Sequence, residues 1–173
     1  MSEELKIPKE RIAVLIGEKG TTKRKIQKLT NTKITVSSKE GDVLFEGEDN
    51  YQLYLTKNIV AAIGRGFNPE IALKLLKEDY TFDIINIHEF SGKSKKQEER
   101  IKSRVIGKEG KARSTLEKMT NTSISVFGKT VGVIGNLEDV YLAKKALDKL
   151  LNGSPHSNVY KFIEREKERQ ETL

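Results

Sequence analysis

Two stretches of the chain carry nearly the same alternation of apolar and polar positions. In the first, Leu5 to Pro8 reads as a short strand, and Lys9 to Ile16 as a helix with Ile12, Leu15 and Ile16 on its inner side. Two glycines interrupt that helix, and it resumes near Thr21, where Thr22, Ile26 and Leu29 recur at helical spacing and face a core. Ile34 and Val36 alternate around Thr35 as a half-buried strand, and Val43-Leu44-Phe45 follows after a polar turn containing Gly41. A closing helix begins near Asp49 and Asn50, residue types that satisfy free amides at a helix start. It carries Leu53, Val60 and Ile63 on one face and stops at Gly64 and Gly66.

The second stretch repeats the order. Phe82 to Ile87 is its first strand, with Phe82, Ile84 and Ile85 available for burial, and Ala112, Leu116 and Met119 take the places of Thr22, Ile26 and Leu29. Ile124 to Val126 and Thr130 to Ile134 are joined through Phe127-Gly128-Lys129, a short glycine hairpin. The closing helix starts near Asn136, buries Val140, Ala143, Leu147 and Leu150, and ends before Gly153. Between the two stretches, Asn68-Pro69 opens a short helix with Ile71, Leu73, Leu75 and Leu76, too apolar for a free linker and expected to pack between the units. Ser91 to Lys96 is polar, basic and expected to be a mobile loop. After Ile163 the run Glu164-Arg165-Glu166-Lys167-Glu168-Arg169 offers no apolar face and is expected to be a solvated, frayed tail.

The similarity has a constant offset of 90 residues. Ile16-Gly17-Glu18-Lys19-Gly20 returns as Ile106-Gly107-Lys108-Glu109-Gly110, Thr30-Asn31-Thr32 as Thr120-Asn121-Thr122, and Ile34-Thr35-Val36 as Ile124-Ser125-Val126. A single Gly-x-x-Gly carries little information, since two glycines three apart arise by chance. Two in the same local context do not. Each unit therefore reads as strand, helix, glycine loop, helix, strand, strand, helix, an α+β arrangement.

Composition narrows the chemistry. At 173 residues, 36% hydrophobic and 33% charged, the chain suits two small domains with modest cores. It has no cysteine, so disulfides, thiolate zinc sites and cysteine nucleophiles are excluded, and His88 and His156 are too far apart in sequence to form a ligand-spaced cluster. No metal or cofactor is expected. Met1-Ser2-Glu3-Glu4-Leu5 lacks the basic start and apolar run of a signal peptide, which points to a cytoplasmic location.

The net charge of +7 and a pI near 9.4 point to an anionic partner if the charge gathers at a binding element. It does. Lys19, Lys23, Arg24, Lys25 and Lys28 crowd the first glycine loop, and Arg104, Lys108, Lys111, Arg113 and Lys118 the second. Glycine lets the backbone approach a ligand backbone closely, and the helix that follows adds free amides and a favourable dipole at Gly20-Thr21 and Gly110-Lys111. No aromatic residue lies beside either loop, so bases would meet an aliphatic groove.

The arrangement resembles the KH family of type I order, βααββα, marked by Val-Ile-Gly-x-x-Gly. Val105-Ile106-Gly107-Lys108-Glu109-Gly110 fits fully, and Leu15-Ile16-Gly17-Glu18-Lys19-Gly20 substitutes leucine for valine. The resemblance implies two tandem KH domains, each a three-stranded sheet on three helices, at residues 1–66 and 82–153. A helical linker at 67–81 and a charged extension at 154–173 complete the chain. Each domain would clamp about four nucleotides of single-stranded RNA, the loop holding backbone and the groove reading bases. Carried onto this chain, the second groove would use Arg104, Gly107, Lys108, Glu109, Gly110, Lys111 and Arg113 with Ile124 and Val126. The first would use Gly17, Glu18, Lys19, Gly20, Lys23 and Arg24 with Ile34 and Val36. The second loop, the better match, ranks as the primary site, and aspartate at both Gly107 and Gly110 is expected to abolish most binding without unfolding the protein.

A closer resemblance extends to the archaeal members of the partner-of-Nob family of small-subunit ribosome assembly factors. It is carried by Ile63-Gly64-Arg65-Gly66-Phe67-Asn68-Pro69-Glu70 and by Asn152-Gly153-Ser154-Pro155-His156-Ser157-Asn158-Val159-Tyr160. It implies the 3′ region of small-subunit ribosomal RNA as ligand, with a Nob-type nuclease or the dimethyladenosine methyltransferase as partners. The alternatives are a KH protein for other RNA, messenger or exosome-associated, and a scaffold for acidic proteins. A nucleotide hydrolase fails on spacing, since a Walker loop needs Gly-x-x-x-x-Gly-Lys-Ser/Thr and Ile87 stands where Gly92-Lys93-Ser94 would require its first glycine.

Overall fold

The computed structural model describes every residue, Met1–Leu173. The chain divides into two compact units, Met1–Glu78 and Asp79–Leu173. In the first, β1 (Ser2–Lys6) leads through a 3-10 turn into α1 (Ile12–Ile16), and the glycine loop follows. Then come α2 (Thr21–Thr30), β2 (Lys33–Val36), β3 (Asp42–Glu46) and α3 (Asn50–Gly64). The sheet is antiparallel in the order β1-β3-β2, with Ile34 opposite Phe45 and Leu5 opposite Val43. Leu15, Ile26, Ile34, Val43, Phe45, Leu53, Ile59 and Ile63 fill the space between sheet and helices. A short α4 (Pro69–Ala72) and a 3-10 turn to Leu76 pack on α3, burying Ala72 and Leu75.

The second unit has β4 (Tyr80–Asn86), a one-turn α5 (His88–Ser91), α6 (Lys95–Ile106), the second glycine loop and α7 (Lys111–Thr120). It continues with β5 (Ser123–Phe127), β6 (Thr130–Asn136), α8 (Leu137–Leu151) and α9 (His156–Glu171). Its sheet runs β4-β6-β5, with Ile124 opposite Val133. No helix is long and apolar enough to cross a membrane.

The repeated Thr-Asn-Thr is a helix-stop device. Asn31 and Asn121 end α2 and α7 in the left-handed conformation, at φ 51° and 54°, which asparagine tolerates better than most residues. The flanking threonines are buried and bonded to each other, Thr30 to Thr32 at 2.7 Å and Thr120 to Thr122 at 2.8 Å, while Thr30 and Thr120 also donate to carbonyls one turn back. Asp49 begins α3 by accepting from the amides of Tyr51 at 2.8 Å and Gln52 at 3.4 Å. Asp49→Ala is expected to cost about 1 kcal/mol, seen as a lower denaturant midpoint with an unchanged slope.

Four expectations need correction. Leu29 is half exposed, and Thr30 takes the inward position at the end of α2. Ile84 is 43% exposed on the edge strand β4, with Ile87 buried instead. Ser91–Lys96 is no simple loop, because Ser94 accepts from the Gln97 amide and Lys95 and Lys96 already belong to α6. The tail is one helix through Glu171, anchored because Val159 and Ile163, one turn apart, are buried against α7 and α8. The charged run that follows extends a helix already nucleated by packing.

An arginine clamps the closing helix in each unit. Arg11 donates to the carbonyls of Ile63 at 2.7 Å and Phe67 at 2.9 Å, and burial draws its pKa below the usual value against the opposing effect of Glu10. Arg104 donates to those of Leu150 at 2.9 Å and Ser154 at 2.6 Å. Both add a charged donor at the C-terminal end of the closing helix, where the Ile63 and Leu150 carbonyls also accept from the amides of Gly66 and Gly153 at 3.1 Å each. His156 Nε2 lies 2.8 Å from the Arg104 carbonyl and ties the start of α9 to α6.

Candidate nucleic-acid interface

The two loops trace the same path with different side chains. Gly17 stands at φ 75°, ψ 174°, Lys19 at φ 54°, ψ 28°, and Gly20 at φ 74°, ψ 13°. Gly107, Glu109 and Gly110 stand at φ 74°, ψ 176°; φ 55°, ψ 26°; and φ 75°, ψ 11°. Glu18-Lys19 and Lys108-Glu109 present their charges in opposite order, so the glycines and the helix starts set the geometry. The left-handed Lys19 and Glu109 each cost about 1–2 kcal/mol, which the surrounding turn sustains.

The first glycine of each pair is required by packing. A Cβ at Gly17 would overlap Thr22, and one at Gly107 would lie 2.6 Å from Ala112 Cβ and 2.7 Å from its nitrogen. Aspartate at Gly107 therefore strains the turn itself, a cost to folding that aspartate at Gly110 does not share. Gly110 faces open space, and a Cβ on Gly20 would meet only Arg24 Nη1 at 2.9 Å.

Helices α3, α4, α6 and α8 begin with a side-chain cap from Asp49, Asn68, Ser94 and Asn136. The helices after the glycine loops, α2 and α7, have none; each starts from a left-handed glycine. Contrary to expectation, the amides at the helix starts are not free, since Gly20 and Gly110 donate to the Gly17 and Gly107 carbonyls and Thr21 and Lys111 to those of Glu18 and Lys108. What the loops offer an anionic group is the positive end of the helix dipole beside exposed lysines.

The structure gathers most of the expected cations there. Lys19, Lys108 and Lys111 are exposed beside the glycines, together with Glu18 and Glu109, and Arg24 folds back over Gly20. Lys23 is half-buried on α2. Arg113 pairs with Glu117 at 3.4 Å and points toward β5, while the Arg104 guanidinium is held on the carbonyls of Leu150 and Ser154. Val36 and Val126 are partly exposed along the edge strands. Ile34 and Ile124 belong to the cores, each residue as a whole only 1% and 2% exposed, so neither presents the groove surface that the sequence suggested. Gln27 and Glu117, which accept from the Ile34 and Ile124 amides, are groove residues that the pattern of charges does not reveal. Their equivalence in the 90-residue repeat was the available signal.

Residues 81–168 match the eukaryotic-type KH domain (KH domain type I), and residues 2–62 match the KH domain. A KH domain-containing protein of Methanocaldococcus jannaschii is 44% identical over 96% of this chain and 74% of its own length. The RNA-binding protein pno1 of Drosophila pseudoobscura pseudoobscura is 32% identical over 66% of this chain, which spans about half of that relative, 49%. Crystal structures of Dim2p from Pyrococcus horikoshii are similar throughout. One is 46% identical with a TM-score of 0.88 over 95% of this chain and 99% of the other. The second, a complex of a/eIF2alpha, aDim2p and rRNA, is 45% identical with a TM-score of 0.91 over 98% and 95%.

Proposed function

The chain belongs to the tandem KH family of PNO1 and Dim2p, and from that premise we propose that it is a non-enzymatic single-stranded RNA-binding protein acting on the 3′ region of small-subunit ribosomal RNA during ribosome assembly. The observation that carries this reading is the pair of glycine loops with matching dihedrals, each opening an uncapped helix among exposed lysines. Backbone phosphates set against those helix starts gain a favourable dipole and nearby ammonium groups at once, and the edge strand beside them gives bases a surface to read. The presence of rRNA in the Pyrococcus horikoshii complex supports ribosomal RNA over messenger RNA. A Nob-type nuclease or a dimethyladenosine methyltransferase, acting near the same RNA end, are the protein partners this role implies.

Crosslinking in cells followed by sequencing of the bound RNA tests the reading. Recovered fragments are expected to concentrate at the 3′ end of small-subunit ribosomal RNA; recovery mainly of messenger RNA would reject it. In vitro, neutralising about four phosphates of a single strand predicts a slope near −3 for log affinity against log salt concentration. A flat salt dependence would favour the scaffold alternative.

A further inference from the structure

The edge strand beside each glycine loop is pinned from the same position of the following helix, but with different chemistry. The Ile34 amide donates to Gln27 Oε1 at 2.7 Å, and the Ile124 amide donates to Glu117 Oε2 at 2.9 Å. Gln27 and Glu117 are equivalent in the repeat, and so are Lys23 and Arg113. In the second unit Arg113 Nη1 lies 3.4 Å from Glu117 Oε1 and donates to the Ile124 carbonyl at 3.3 Å. In the first unit Lys23 makes neither contact. The amide and carbonyl of one extended residue point to the same side, so the Ile34 carbonyl lies on the α2 side of the strand with no cation held on it, within a residue that is 1% exposed.

The consequence is a different set of donors and acceptors on two otherwise matched walls. Arg113 is anchored through Nη1 yet 41% exposed, which leaves the rest of its planar fork to donate two parallel hydrogen bonds. Such a fork matches the paired acceptors O6 and N7 of guanine. The wall of the first unit has no fixed fork. It offers the half-buried, flexible ammonium of Lys23, which fixes no pair of parallel donors. We propose that Arg113, positioned by Glu117 and the Ile124 carbonyl, gives the second module a guanine preference that the first, with Lys23 and Gln27 in the equivalent places, lacks. This inference rests on the RNA-binding reading above and adds the residues that divide base choice between the modules.

The test uses the full chain in three forms: wild type, the double variant Arg113→Lys with Glu117→Gln, and the reciprocal Lys23→Arg with Gln27→Glu. Each is equilibrated with a randomised pool of short single-stranded RNA, and the retained RNA is sequenced. Glutamine at 117 keeps an acceptor for the Ile124 amide, and the reciprocal exchange asks the same question in the other unit, so either folded variant suffices. The first variant is expected to lose guanine enrichment at one position by about tenfold, the discrimination of one bidentate pair. The reciprocal variant is expected to gain guanine at a further position. Unchanged guanine enrichment in the folded variants, or none in the wild type, would overturn the inference while RNA binding stands. No RNA retained by the wild type would overturn the binding reading and this inference with it.

Discussion

Aspartate at Lys108 and Gly110 together lowers the affinity of the full chain for a 3′ small-subunit RNA oligomer on the order of a hundredfold, from the loss of one or two charge-assisted hydrogen bonds at about 1.5–3 kcal/mol each. Lys108 is exposed and Gly110 borders open space, so both side chains enter solvent without displacing a neighbour. The residual cost is the left-handed backbone at Gly110, φ 75°, about 1–2 kcal/mol for a residue with a Cβ, less for aspartate than for most. Two carboxylates at the start of α7 then take the place beside the positive helix end that a phosphate would use and repel the RNA backbone. Fluorescence anisotropy against a labelled oligomer reads the affinity, and circular dichroism shows that the fold is kept. A folded variant within threefold of wild type would remove the second loop from the binding site. Gly107→Asp is the wrong probe, since its Cβ would press on Ala112 and any loss of binding would be confounded with a disturbed turn.

That distinction shows what the sequence could and could not disclose. The repeat revealed both loops, because a Gly-x-x-Gly in a duplicated context is a local property of the chain, and local dihedrals follow from local residues. It could not reveal which glycine is crowded, because Thr22 and Ala112 reach the first glycine only once the turn has closed. Periodicity likewise found the inward faces of the helices but misjudged their margins. Leu29 lies at the end of α2, where Asn31 turns the chain and Thr30 satisfies its hydroxyl internally. The fold of the tail was missed for a related reason: the charged residues after Ile163 dominate its composition, whereas two side chains, Val159 and Ile163, hold the helix in place.

The arginines illustrate a deeper limit. Arg104 sits among cations near a glycine loop, and charge alone groups it with Lys108 and Lys111. The fold brings it to two carbonyls 46 and 50 residues away. Arg11 does the same for α3, yet the repeat equates Arg11 with Ile101 and Arg104 with Val14, so internal symmetry gives no hint of the shared task. The two units reached one solution from different positions, which indicates that the closing helix needs its carbonyls satisfied and that the source of the donor is secondary.

Arg104→Ala is therefore expected to act on stability before it acts on RNA. Two charge-assisted bonds are lost, at a cost of about 2–4 kcal/mol; the Leu150 carbonyl keeps the Gly153 amide while that of Ser154 loses its arginine donor. For a unit of about 100 residues that corresponds to a fall of roughly 10–20 °C in the melting temperature of the second unit. Arg104→Lys should recover part of the loss, since an ammonium can reach one carbonyl but lacks the fork that spans both. RNA affinity measured well below the melting transition separates structure from recognition. Because the guanidinium is engaged at the end of α8, Arg104→Ala should change that affinity by less than about threefold, below the worth of one charge-assisted bond. A large affinity loss with an unchanged melting temperature would return Arg104 to the RNA-binding surface and show that its contacts with α8 contribute little. A fall in melting temperature with affinity retained assigns Arg104 to the joint between α6, α8 and α9, and leaves Lys108, Lys111 and Arg113 as the cations that meet RNA in the second module.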